Sequence, residues 1–260
     1  MAKRSNYIAK TPDKRGIVQY SSEEHSTWQT LYQSQISAVQ RYACQEYLDG
    51  LHNLALPKHQ VPQLPDINAK LAQTTGWRMT PVPALISFDR FFALLADKQF
   101  PVATFIRRRE DIQYIQEPDI FHETFGHGPM LTHPAFARFT HTYGKLGASA
   151  SHAERVFLAR LYWFTVEFGL LEQRDGQRIY GGGILSSPGE TRYSMQQQSA
   201  ELRPFDIIDA MRTPYRIDIM QPLYYVLNAL DDLYHIAEQD LMACVAKAAS
   251  LGLFKPLYPQ

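Results

Sequence analysis

The sequence predicts a mainly α protein with a small β-sheet component (α+β), folded as one domain over residues 1–260. Long stretches repeat apolar side chains at helical spacing, while runs with strand character are few and short. No linker, repeat or low-complexity tract divides the chain. With 260 residues, 45% of them apolar, and with 15 Tyr and 14 Phe, it can bury a substantial core.

Taken in order, residues 1–20 read as an irregular lead-in whose basic start has no apolar signal core behind it. Residues 22–52 predict one long helix. Trp28, Leu31, Ile36, Val39, Tyr42, Ala43, Tyr47 and Leu51 form its stripe, Ser22 caps it, and Glu23 and Glu24 suit its first turn. Pro57, Pro62 and Pro65 mark a loop, and a short helix begins at Asp66 and ends before Thr75-Gly76. Residues 77–85, with Pro81 and Pro83, read as loop. A helix with Phe91 and Phe92 covers 88–97, and a strand covers 102–107, ending at Arg107.

Pro118 suits the first turn of the next helix, and Gly126 and the Gly128-Pro129 pair stop it. Residues 134–146 predict a helix. Ser151 and Glu154 form a capping box that opens a buried helix over 156–171, apolar nearly all round. Residues 178–187 look strand-like, and glycines 181–183 let backbone approach a neighbour closely. A Pro188-Gly189 turn follows, then a polar stretch over 194–202 that reads as mobile. A helix over 205–211, a strand over 215–219 and an amphipathic helix over about 226–251, ending near Gly252, complete the chain.

Charge narrows the function classes. Lys plus Arg and Asp plus Glu each number 26, so no net basic field draws nucleic acid or acidic lipid. Cys44 and Cys244 lie in helical apolar patterns and are expected to be reduced thiols. No apolar run reaches membrane-spanning length, and a cytoplasmic location is the expectation.

The chemistry concentrates in Glu-Pro-Asp-Ile-Phe-His-Glu-Thr-Phe-Gly-His, residues 117–127. His122 and His127 are five apart, so on an α-helix they point ~140° away from each other. They converge on one ion only if the helix loosens, and Gly126 sits where it can. The zinc peptidase motif needs histidines four apart and fails here on geometry. Two histidines and a carboxylate on one face of an ion suit non-haem Fe(II) and oxygen chemistry. Glu167, buried in the apolar helix, needs a cation: Arg160 or a metal. A metal shared with the two histidines is the simpler account. A hydrolase using the same three ligands is a rival reading; a binding protein without catalysis is another.

Three stretches together resemble the pterin-dependent aromatic amino acid hydroxylases, most like the bacterial phenylalanine 4-hydroxylases. They are residues 117–127, Leu-Tyr-Trp-Phe-Thr-Val-Glu-Phe-Gly-Leu and Tyr-Gly-Gly-Gly-Ile-Leu-Ser-Ser-Pro-Gly-Glu, and the likeness runs over about 75–235. The resemblance implies a single catalytic domain of that type, with no regulatory domain and no tetramerisation tail. It implies that L-phenylalanine, O2 and a tetrahydropterin (tetrahydrobiopterin or a related pterin) give L-tyrosine and a 4a-hydroxytetrahydropterin. Fe(II) is implied on His122, His127 and Glu167, in a monomer or dimer.

Further roles follow from the resemblance position by position. Phe91 is the pterin-stacking ring, Val82 to Leu85 the backbone strip along the pterin edge, Glu123 a nearby carboxylate and Tyr162 a wall of the pterin–iron pocket. Arg107 binds the substrate carboxylate and Asp119 orients it. Trp163 walls the ring pocket, and Gly183 and Ser186 contact substrate or orient an iron ligand. Trp163 matches the phenylalanine and tyrosine hydroxylases, and Ile217 replaces the Asp of tyrosine hydroxylases, favouring a ring without a hydroxyl. Ile115-Gln116 stands where animal members have Thr-Pro, so that threonine's substrate contact is not assumed.

Overall fold

A computed structural model of the chain describes residues 7–112, 115, 117–196 and 199–258; Gln116 lies outside them. Residues 7–20 are irregular, as expected. The single helix expected over 22–52 is two, α1 (Ser22–Tyr42) and α2 (Gln45–Leu54). Between them Ala43 is extended and bridges Ile179, and the Cys44 N–H donates to the Ile179 carbonyl at 2.9 Å. Apolar periodicity runs straight through this break, which a strand from the far half of the chain imposes. The cap is Ser21 rather than Ser22. Its hydroxyl accepts from the Glu24 N–H at 3.2 Å, and Glu24 accepts from the Ser21 N–H at 2.6 Å.

Helix α3 (Leu64–Thr74) starts two residues before Asp66, with Pro65 in its first turn. The expected loop at 77–85 contains a strand, β1 (Arg78–Val82). It runs parallel to β2 (Gln99–Ala103) across helix α4 (Phe88–Ala96). The strand expected over 102–107 thus lies earlier. A two-stranded sheet has only edge strands, which tolerate Pro81 and Pro101.

The histidine segment is helical from Ile120 to Leu131. His122–His127 is π-helix, with the Gly128 N–H reaching back five residues to the Glu123 carbonyl. It continues into α5 (Gly128–Leu131) instead of stopping at Gly128-Pro129, because Pro129 falls in the first turn of α5. Pro129 has no N–H for the Phe125 carbonyl, which accepts from the Tyr47 hydroxyl. Phe121 and Phe125 stack at 4.7 Å and pack edge-on against Trp28 of α1 and against Tyr32 and Tyr47. This aromatic face fastens the segment to α1 and α2.

Helices α6 (Pro134–Ser149) and α7 (His152–Tyr162) follow, and the Ser151–Glu154 capping box closes as expected. Helix α7 passes into a second π-helix, Trp163–Glu167, where the Phe168 N–H bonds the Trp163 carbonyl at 2.8 Å. The helix expected to reach 171 ends there, and β3 (Leu170–Gln173) turns back into β4 (Gly176–Ile179). Instead of strand and turn, residues beyond 180 form α8 (Gly182–Leu185) and α9 (Pro188–Tyr193). Strand β5 (Glu201–Pro204) begins inside the stretch read as polar and mobile, and α10 (Ile207–Arg212) follows.

Residues 215–219 are loop; the strand is β6 (Leu223–Leu227), which takes the start of the expected terminal helix. That helix is two, α11 (Asp232–Glu238) and α12 (Leu241–Leu251), the second ending at Gly252 as expected. Strand β6 is apolar throughout, so its pattern does not separate strand from buried helix. It lies inside the sheet β4-β3-β6-β5, parallel to both β3 and β5. Cys44 and Cys244 are free thiols. Among the described residues no helix is long and apolar enough to cross a membrane.

Candidate metal centre and substrate cavity

The two π-helices both pack on α8 and bring His122, His127 and Glu167 to one point. His122 Nε2 and His127 Nε2 lie 3.2 Å apart, and Glu167 Oε2 is 3.6 Å from the first and 3.3 Å from the second. Two ligands about 2.1 Å from one ion and at right angles stand about 3.0 Å apart, so the triangle is of metal-site size. Arg160 is not the partner of Glu167: its Nη1 donates to the Val156 carbonyl and its guanidinium lies over Phe157.

The donor set fits a divalent ion. Burial lowers the His122 pKa to about 4, the nearby Glu167 only partly opposing it, so the imidazole is neutral at pH 7. Burial pushes Glu167 upward, but His127 and His122 more than offset this and hold it below the usual carboxylate range. Lone pairs of a neutral imidazole and a carboxylate aimed at one spot repel unless a cation lies between them. The His122 ring is also oriented: Nδ1 lies 2.9 Å from Ser186 Oγ, which donates to the Gly183 carbonyl at 3.4 Å. Nδ1 therefore carries the hydrogen, and the Nε2 lone pair is left for the ion.

The glycines of 181–183 meet these ligands. A Cβ on Gly182 would stand 2.4 Å from His127 Nδ1, and one on Gly183 would stand 2.9 Å from Glu167 Oε2. Gly126 is pressed in turn against the Gly182 carbonyl, 2.6 Å from where its Cβ would be. A second carboxylate, Glu123, also has an oxygen within 4.8 Å of the histidine nitrogens. Burial, then the charges of Glu167 and Asp119, push its pKa well up, whereas that of Glu167 is held down, so the two carboxylates are shifted in opposite directions.

A cavity of about 460 Å³ opens beside His122 and Glu167. Of the expected substrate residues, Arg107, Trp163, Gly183, Ser186 and Ile217 line it together with His122 and Glu167. Asp119 lies behind Arg107, fully buried. It receives Nε at 2.8 Å, Nη2 at 2.8 Å and the Arg107 N–H at 2.9 Å, and also the His122 N–H at 2.9 Å. Burial raises the Asp119 pKa, but Arg107 outweighs it and holds the carboxyl below its usual range. One carboxylate thus ties the cavity's arginine to His122. Arg107 Nη1 donates to no described residue.

The expected pterin residues stand apart from this cavity. Phe91 meets Tyr162 edge-on at 5.6 Å, and Tyr162 packs against Tyr143 at 5.1 Å. Burial, then the carboxylates of Glu167 and Glu123, raise the Tyr162 pKa. Val82 and Leu85 line a separate groove with residues 7–12; Val82 is buried at the end of β1 and Leu85 is exposed.

Sequence reasoning missed Phe168, Tyr215 and Gln221. Phe168 and Tyr215 each stack on Trp163 at 4.3 Å. Gln221 accepts from the Trp163 indole N–H at 3.0 Å and donates to the Arg216 and Ile219 carbonyls, shaping the loop that carries Ile217. Nothing local marks these residues; only a spatial neighbour gives them their role.

Residues 3–246 match the model of the biopterin-dependent aromatic amino acid hydroxylase family. The chain is 58% identical over 257 residues to the phenylalanine-4-hydroxylase of Pseudomonas aeruginosa, covering 99% of this chain and 98% of that one. Its structure resembles the apo cold-active phenylalanine hydroxylase of Colwellia psychrerythraea, with TM-score 0.94, 54% identity, and 96% and 97% of the two chains covered. It also resembles the Chromobacterium violaceum phenylalanine hydroxylase with bound iron(III) and oxidised 7,8-dihydrobiopterin, with TM-score 0.87, 39% identity, and 94% and 90% covered.

Proposed function

The chain belongs to the biopterin-dependent aromatic amino acid hydroxylases, and from that membership we infer that it is a phenylalanine 4-monooxygenase. It converts L-phenylalanine, O2 and a tetrahydropterin to L-tyrosine and a 4a-hydroxytetrahydropterin at mononuclear non-haem iron. The observation that carries this reading is the triangle of His122, His127 and Glu167, with sides of 3.2 to 3.6 Å, beside a cavity that Trp163 and Phe168 help to line. A hydrolase reading accounts for the ligands but not for the family.

His122, His127 and Glu167 would hold iron from one hemisphere, leaving positions open. The metal and the pterin supply the redox chemistry when bound. The chain's own residues position and shield. Ser186 keeps the hydrogen on His122 Nδ1. Arg107, fixed by Asp119 through Nε and Nη2, offers Nη1 to the substrate carboxylate. Trp163, braced by Phe168 and Tyr215, walls the ring pocket and excludes water. Ile217 offers no partner to a ring hydroxyl, which favours phenylalanine over tyrosine. Phe91, Tyr162 and Glu123, with the Val82–Leu85 backbone, form the pterin side.

The whole chain acts as one catalytic domain, cytoplasmic and monomeric or dimeric. The test is anaerobic loading with Fe(II), then phenylalanine, tetrahydropterin and air. Tyrosine formed in step with pterin oxidation is the expected result, and no tyrosine rejects the assignment.

A further inference from the structure

The cavity holds a further buried carboxylate, Glu190. Glu190 is 6% exposed, lies on α9 and lines the same cavity as Arg107 and Glu167. Its Oε1 accepts from the Gln221 N–H at 3.0 Å and from the Tyr224 hydroxyl. Its Oε2 takes no bond from any described residue, and no Lys, Arg or His among them pairs with it. A buried carboxylate without a cation is unfavourable, and burial pushes the Glu190 pKa up accordingly.

Arg107 is built the same way with the opposite charge. One side of its guanidinium is spent on Asp119, and Nη1 is left over. A zwitterionic amino acid carries the two complementary charges. The other carboxylates of the cavity are committed or less enclosed: Glu167 to the metal, Asp218 to Arg216 at 2.9 and 2.6 Å, and Glu117 only half-buried.

We propose that Glu190 is the ammonium subsite, its Oε2 receiving the α-ammonium of the amino acid whose carboxylate Arg107 holds. The inference rests on reading this cavity as the amino-acid site. Gln221 and Tyr224 hold the carboxylate, so the same Gln221 that braces Trp163 sets the distance between the ring wall and the charge that anchors the substrate backbone.

The experiment compares two ligands on the iron-loaded enzyme by calorimetry: L-phenylalanine, and 3-phenylpropanoate, which lacks only the ammonium. Wild type is expected to prefer L-phenylalanine by about tenfold or more. Glu190→Gln keeps an acceptor for Gln221 and Tyr224 but removes the charge. It is expected to abolish the preference by weakening L-phenylalanine alone, and Glu190→Asp to restore part of it. A preference unchanged in Glu190→Gln, or an equal loss of affinity for both ligands, overturns the proposal. A wild-type enzyme that binds neither ligand overturns both this inference and the reading it rests on. One that makes tyrosine while the variants keep its preference overturns this inference alone.

Discussion

His122 and His127 are five residues apart, yet their Nε2 atoms stand 3.2 Å from each other. An α-helix would turn them ~140° apart. The π-helix over His122–His127 brings them back to one side, and the π-helix over Trp163–Glu167 does the same service for Glu167. Such turns are less favourable than α-helix and concentrate at functional sites. Here Gly126 and Gly182 permit the close approach that holds the first one in place.

Gly182→Ala puts a methyl group 2.4 Å from the His127 ring nitrogen, and Gly126→Ala puts one 2.6 Å from the Gly182 carbonyl. Either is expected to displace a ligand and to destabilise the fold by about 1–3 kcal/mol. Metal content after Fe(II) loading, measured beside a thermal melt, checks this; full stoichiometry in both variants contradicts it.

Ser186→Ala removes the partner of His122 Nδ1. Metal affinity or activity is expected to fall about 10- to 100-fold with little change in folding, the usual effect of losing a residue that orients a ligand. Competition against a chelator reads the affinity.

Arg107 and Asp119 form a pair that is almost fully buried, so breaking it affects more than substrate binding. Asp119→Ala strands the guanidinium and is expected to cost about 3–5 kcal/mol of stability. Arg107→Ala is expected to raise the KM for phenylalanine and also to lower stability. Urea denaturation separates the two effects, and an Arg107→Ala enzyme with wild-type phenylalanine dependence refutes the substrate role.

Gln221→Leu leaves the Trp163 indole N–H unpaired and frees two carbonyls of the 215–221 loop. The expected result is a higher KM for phenylalanine and a narrower gap between phenylalanine and tryptophan as substrates. Unchanged relative kcat/KM values argue against a positioning role.

Glu24 closes the α1 capping box and pairs with Lys10 at 2.5 Å. Burial raises its pKa, but Lys10 and the Ser21 N–H outweigh this, so the folded value is below 4.5. A depressed carboxylate stabilises above its unfolded pKa and loses that contribution as pH falls through the folded one. Glu24→Gln is therefore expected to destabilise by about 1 kcal/mol or less at pH 7, the pair being only partly buried, and by nearly nothing well below the folded pKa. Paired urea titrations at pH 7 and under acid conditions check the sign.

Much of the site is legible in the residues. His122, Glu123 and His127 share one segment, and Glu167 is conspicuous as a carboxylate in an apolar helix. The three glycines announce a close approach without saying to what. The single helix expected over 22–52 fails at Ala43 because its partner, Ile179, is 136 positions away. The 223–227 strand hides in an apolar run that suits a buried helix equally well.

The amino-acid order alone determined the ligand chemistry, the helical character of most of the chain and the capping box at Ser151, since donor type, apolar period and capping are properties of a few neighbouring residues. Tertiary contact decided that two helices widen into π-turns, that Arg160 turns away from Glu167, and that Gln221 reaches Trp163. Those outcomes depend on hydrogen bonds and packing between segments far apart in the chain, and no local pattern carries them.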